Sequence, residues 1–394
     1  MKRYLYLVAV ASIIVLTFSA YYIQQTITSG SYPEIVIEKV SGNEDKVEDL
    51  MISGSYRLGF GMGDNVKVDI DETVYSSEQP FPQRFGNRIY GDNTNRLQDR
   101  YRRFMRGKSG SVRSFLETDN VVAYANVIGQ SLDASNQDMT FDMAVLNKQT
   151  EESTSFTVPV PDKEAYSQVT VEDVQMIDNE LYVITQNIKV TGANSKRIYR
   201  FNFNEQNMTG EDVITSYEDQ KAEAVHTRIR KMGVPDETKA QEYVVFFKEH
   251  SVIGQGTDTA REITESGKEY IAYKLKTNEK KQLELPKSLS VENMLIYKHG
   301  KLYMRDGHNL LQYDITKGET EKEMQLPEQG SGFPTPVAIS DDTIYVLTAN
   351  EQSNISQISV FDLTSGDLLY NGKIKPEKPL ERNVTLQLYD LSIS

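Results

Sequence analysis

The 394-residue sequence predicts an all-β protein of repeated four-stranded units, a β-propeller of six or seven blades, preceded by one N-terminal transmembrane helix. Three observations predict it. A long uncharged run lies near the start; short strands rich in Tyr, Val and Ile alternate with turns from about residue 115 onward; and two short sequence elements recur in a fixed order.

The uncharged run is Tyr4 to Ile23, 20 residues that as a helix span the ~30 Å hydrocarbon core. Cleavage after Ala20 would place bulky Phe18 three residues before the cut, so an uncleaved anchor is expected. Residues 1–3, with Lys2 and Arg3, form a cytoplasmic tip, and Tyr21 and Tyr22 suit the membrane–water interface. Residues 24–33 are polar and small and end at Pro33, which reads as a linker; residues 34–394 form the extracytoplasmic propeller domain. The protein is thus expected in the cell membrane, single-pass, with its C-terminal domain outside the cytoplasm.

The first recurring element is a polar turn leading into an apolar, aromatic strand: Asn179 to Val183, Gly300 to Met304 and Asp342 to Val346, with looser copies at Asn120 to Tyr124 and Glu242 to Val245. Its aromatic position recurs at Tyr124, Tyr182, Tyr243, Tyr303 and Tyr345, at spacings of 58, 61, 60 and 42. The second element is an aromatic, one residue, an apolar residue and a polar turn. It occurs at Phe201 to Asn207, Tyr273 to Asn278, Tyr313 to Gly318 and Phe361 to Gly366, with a degenerate fifth copy at Ala144 to Gln149. Residues two apart share a sheet face, and Gly or Asn supplies the left-handed backbone of a tight hairpin. Strands at the two ends, Glu34 to Val40 and Val384 to Leu388, are expected to complete one blade between them.

The turns Tyr313 to Gly318 and Phe361 to Gly366 resemble the outer hairpins of quinoprotein-like and lactonase-like propeller repeats, and the resemblance implies architecture alone. The repeats of cofactor-binding quinoproteins usually carry Trp, and this chain has none, so no quinone or other cofactor is expected.

A basic segment interrupts the acidic chain at Arg96, Arg100, Arg102, Arg103, Arg106, Lys108 and Arg113. Leu97, Tyr101, Phe104 and Met105 recur at helical spacing, so the segment reads as a helical insertion before a blade, with an apolar stripe and arginines on its other faces. These seven basic residues are the candidate docking surface, for a protein partner or an anionic envelope polymer; the competing reading has them neutralise the propeller's own carboxylates. A second helical insertion is expected over Tyr217 to Met232, acidic at its start and basic at its end.

Composition bounds the chemistry. With no cysteine, thiol catalysis, iron–sulfur clusters and Cys-based zinc are excluded, and the four histidines lie in different segments without trustworthy metal spacing. A net charge of −14 argues against nucleic-acid binding. The glycine string Leu58 to Gly63 lacks the helix that a phosphate site needs and reads as sheet glycines. Neither a metal nor a catalytic residue is therefore assigned. The function expected is a binding, accessory or sensor module of a bacterial envelope system. The alternative is an anchored hydrolase or lyase acting on a sugar or lactone at the propeller channel mouth.

Overall fold

A computed structural model describes residues 10, 12–17, 19, 32–58, 63–79, 92–130, 138–217, 225–234, 236–253, 263–285, 289, 294–306, 309–326, 337–340, 342–350, 354–378 and 384–393. Of the expected anchor, residues 10, 12–17 and 19 are described and helical; the rest of 4–23 lies outside the described residues, as do Gly59 to Met62 of the glycine string. Among the described residues no helix is long and apolar enough to cross a membrane.

Chain contacts divide the protein into two compact units, Met1–Gly86 with Leu326–Ser394, and Asn87–Gln325. In the first unit, β1 (Ile35–Gly42), β2 (Leu50–Leu58), β3 (Asp64–Val68) and β4 (Thr73–Tyr75) open the chain. The second unit starts with the helices α1 (Asp92–Arg100) and α2 (Arg102–Met105). The sheet that follows is β5 (Phe115–Glu117), β6 (Val121–Ile128), β7 (Thr140–Asn147) and β8 (Ser153–Pro159). Next come β9 (Tyr166–Ile177), β10 (Glu180–Lys189), β11 (Asn194–Asn202) and β12 (Asn207–Tyr217). A third sheet joins β13 (Val225–Lys231), β14 (Tyr243–Ile253), β15 (Ile263–Lys274) and β16 (Glu279–Leu283). The fourth is β17 (Met294–Lys298), β18 (Lys301–Asp306), β19 (Asn309–Asp314) and β20 (Glu319–Gln325). The chain then returns to the first unit with β21 (Val337–Ser340), β22 (Thr343–Asn350), β23 (Ile355–Asp362), β24 (Leu368–Pro376) and β25 (Val384–Ile393). Every strand pairing is antiparallel between neighbours in these orders, and the helical insertion stands before β5 as expected.

The recurring elements have structural meaning. All five copies of the first element enter the second strand of a sheet: β6, β10, β14, β18 and β22. These strands read as continuous apolar runs because both faces are covered. Leu181 and Val183 pack with β6 and β7 residues on one side of β10, while Tyr182 and Ile184 pack with Val244 and Phe246 of β14 on the other. In the same way Val245 and Phe247 of β14 meet Leu302 and Met304 of β18.

The second element is the turn from third to fourth strand. Its residue in the left-handed region is Gln206, Asn278, Gly318 or Gly366, and in the degenerate copy Glu151. Asp362 Oδ1 accepts from the Thr364 and Ser365 amides at 2.7 and 2.6 Å, and Asn202 and Asn147 fold their turns likewise. One backbone bond repeats in the five sheets that carry these elements: Phe203, Leu275, Ile315 and Leu363 donate to the carbonyls of Asn179, Glu242, Gly300 and Asp342, and Lys148 donates to Asn120. The degenerate copy is therefore displaced by two residues from the expected alignment, with Leu146 in the aromatic place and Lys148 in the apolar one.

Two further expectations are corrected. Residues 225–231 of the expected second helix form β13, because Thr227, Ile229 and Lys231 alternate with the exposed Arg228 and Arg230, and that period of two outweighs the charge gradient; 218–224 lie outside the described residues. The terminal strands do not share a blade. β1 adds to β24 as a fifth strand, and β25 pairs with β2 through Ile52 and Leu391.

Candidate functional site

The helical insertion packs on the face of the β5-to-β8 sheet opposite the one that meets β9 to β11. Leu97, Tyr101, Phe104 and Met105 pack on Phe115, Val122, Tyr124, Ala144 and Leu146, the stripe that the spacing foretold. The helix breaks at Tyr101, whose φ and ψ of −125° and 45° separate α1 from α2 and let Phe104 and Met105 turn inward.

Beneath the break sits Glu117, at the end of β5 and 3% exposed. Its Oε1 accepts from the Tyr101 hydroxyl at 2.8 Å and from Lys148 Nζ at 2.9 Å, and its Oε2 accepts from the Arg96 guanidinium. Arg100 Nη1 lies 3.9 Å from Oε1. Burial alone would raise the carboxyl's pKa, but the bonds from Arg96, Lys148 and Tyr101 outweigh it and hold the value at about 2. Burial likewise works against charge on Lys148, and Glu117 with Tyr101 more than restores it, so its pKa is raised.

A strap between β13 and β14 closes one side. Thr238 O accepts from the Glu117 amide at 2.6 Å, Asp236 accepts from Asn93 at 3.3 Å, and the Gln241 amide donates to Gln175 Oε1 of β9 at 2.9 Å. Above these groups opens a pocket of about 880 Å³ that also takes in Arg102, Arg103 and Lys239. Six basic side chains and four acidic ones line it.

The seven predicted docking residues divide. Arg96 is committed to Glu117, Arg113 Nε lies 3.4 Å from Glu237, and Arg102 pairs with Asp99 on the surface at 3.3 Å. Lys108 folds under, donating to Phe104 O at 2.6 Å with its amine 4.1 Å from the Phe104 ring; burial lowers its pKa. Arg100 is 65% exposed, and Arg103 and Arg106 have no acid within reach among the described residues. Arg96, Arg100, Arg102 and Arg103 line the pocket, whereas Arg106, Lys108 and Arg113 do not.

Sequence reasoning missed Glu117 and Lys148, yet a signal existed. Lys148 stands where the other sheets have Phe203, Leu275, Ile315 and Leu363. Glu117 opposes Val122 where Met176, Tyr297 and Ile339 oppose Leu181, Leu302 and Ile344. Three other sheets hold apolar or aromatic residues at both places, and this one has a buried ion pair there. Among the described residues no group of three or more His, Asp or Glu side chains is placed to hold a metal ion. His250 instead shares a 2.7 Å hydrogen bond with Thr227, while the side chains of His226 and His308 lie outside the described residues.

A family model for the YycP β-propeller domain matches residues 171–394, more than half of the chain. The chain belongs to this family. The YycP match runs from within β9 through β25 and so takes in residues of both units, while Glu117 and the helical insertion lie before its first residue. No curated protein matches the chain. Similar solved structures include the β-propeller domain of the Trilobed protease from Pyrococcus furiosus, 9% identical, covering 88% of this chain and 84% of that one, with a TM-score of 0.32. Apo AztD from Citrobacter koseri is 9% identical over 88% of this chain and 98% of that one, with a TM-score of 0.28. Dipeptidyl peptidase 4 of Porphyromonas gingivalis is 10% identical over 78% of this chain and 42% of that one, with a TM-score of 0.36.

Proposed function

We propose that this YycP-family propeller is tethered to the cell membrane by residues 4–23 and binds a partner outside the cytoplasm, as an accessory or sensor module of a bacterial envelope system. The blade number we propose is six, one for each sheet among the described residues. The observation that carries the tether is the N-terminal helix. Val10, Ile13, Ile14, Val15 and Leu16 are 49 to 68% exposed, and at 100° per residue they point around its whole circumference. A helix apolar on every side needs an apolar surround, which lipid supplies. The Thr17 hydroxyl donates to Ile13 O at 2.8 Å, the internal satisfaction that a hydroxyl in lipid requires.

Binding is favoured over the hydrolase or lyase reading by Glu117. A carboxyl held at about 2 by three donors is a poor proton shuttle near neutral pH, whereas as a fixed anion it orders the arginines around it. Protease added to intact, wall-stripped cells tests the placement. Digestion of residues 34–394 with a membrane-retained N-terminal fragment is expected; full protection, or a mature N-terminus near Tyr21, overturns it.

A further inference from the structure

The pocket beside α1 and α2 has a floor unlike the corresponding place in the three other sheets where both positions are paired, which hold Met176 with Phe203, Tyr297 with Ile315 and Ile339 with Leu363. Removing two charges from water is expensive, and apolar side chains fill the same positions elsewhere in this chain, so the Glu117–Lys148 pair is not needed to make the fold. What it does is orient. Arg96 and Tyr101 are drawn down onto Glu117, and Arg100 is left with its guanidinium at the pocket, 5.6 Å from the Tyr101 ring and only loosely paired at 3.9 Å. Arg103 and Lys239 reach the same pocket with no ion pair among the described residues.

The lining also carries Asp99, Asp119 and Glu151, and Tyr101, Phe104 and Leu146 give it an apolar part. A polymer with charge at every unit would meet those acids and the field of a chain at −14. A polypeptide with separated carboxylates and apolar side chains between them carries fewer charges past those acids and can place them on the arginines alone. Guanidinium groups bind carboxylates bidentately, which makes the spacing of the acids selective.

Resting on the reading of this domain as a binding module, we propose that the pocket holds an acidic segment of a protein partner, with its carboxylates on Arg100, Arg103 and Lys239. The full chain in phosphatidylcholine nanodiscs is offered a random octapeptide library, and the retained peptides are sequenced. Enrichment of Asp and Glu at spaced positions is expected, and the enriched peptides should bind about tenfold more weakly to R100E/R103E and to K239E. Lys239 is exposed and K239E should melt with the parent; R100Q/R103Q, which puts no second carboxylate beside Glu117, should also melt with the parent and bind the enriched peptides more weakly. Enrichment that these reversals leave unchanged overturns the site but leaves the module reading standing; absence of any enrichment overturns both. A poly(glycerol phosphate) probe that binds more tightly than the enriched peptides, and is lost in R100E/R103E, replaces the peptide with a phosphodiester polymer and overturns the assignment.

Discussion

Replacing Glu117 by Gln keeps the side chain's shape and removes the charge that Arg96 and Lys148 share. The carboxyl is held at about 2 against an ordinary 4.5. At about 1.4 kcal/mol for each tenfold change in proton affinity, that depression is worth roughly 3 kcal/mol near neutral pH. Arg96 is 38% exposed, and solvent screening of its half of the interaction brings the expected loss to about 2 kcal/mol. The folded pKa lies below the unfolded one, so this stability is fully present above about 4.5 and is lost as the pH falls toward 2. Urea unfolding followed by circular dichroism, at pH 7 and again near pH 3, measures both the loss and its decline in acid. A second set, E117M, K148L and the double variant, installs the apolar pairing that Met176 with Phe203 and Ile339 with Leu363 show elsewhere. E117M strands Lys148 and leaves Arg96 without its acid, whereas K148L leaves Glu117 bonded to Arg96 and Tyr101; adding K148L to E117M removes the stranded amine, so the double variant should be more stable than E117M alone. A Gln variant that loses under about 0.5 kcal/mol, or single effects that simply add, would refute the assignment of Glu117 as the hub of the site.

Two further predictions concern the scaffold. Gly318 has a φ of +78°, and a Cβ there would meet nothing nearer than Lys281 Nζ at 3.6 Å, so only the backbone resists substitution. Gly318→Ala should cost about 1 kcal/mol in thermal unfolding, and Gln206→Gly at the equivalent turn should be neutral to within ~0.5 kcal/mol, because relief of strain offsets the added chain flexibility. Deleting residues 384–393 removes the buried Val384, Leu386, Leu388 and Leu391, at roughly 2 kcal/mol each, a sum on the order of a domain's whole stability. The truncated chain should lose part of its cooperative transition and become open to protease within residues 50–75; an unchanged melting temperature speaks against the pairing of β25 with β2.

The repeat was legible where turn chemistry spells itself out. Asp314 and Asp362 fold their turns through their own side chains, and Gly318 and Gly366 stand at the one position that needs a positive φ. The sheet holding β2 escaped because its counterpart, Val68-Asp69-Ile70, opens a shorter turn closed by Asp69 and Glu72 without glycine. Its second strand also lacks the apolar run at Ser53-Gly54-Ser55, where a Cβ on Gly54 would come within 2.7 Å of Gln387 O. For the site, local spacing identified the apolar stripe of α1 and α2, since helical neighbours are sequence neighbours. It could not say which arginines were already paired, because Glu117 is 21 residues from Arg96 and Glu237 is 124 from Arg113.

The pairing of β2 with β25 also sets an order of events during synthesis. β2 is among the first strands to leave the ribosome and β25 is the last, so Ile52 must wait for Leu391 while everything between them is made. In that interval the unit formed by Asn87–Gln325 has all of its own strands and can become native. The other unit cannot, and β2 keeps an open hydrogen-bonding edge until β25 is made. A ribosome stalled before Val384 would therefore hold a chain whose middle is finished and whose beginning is not.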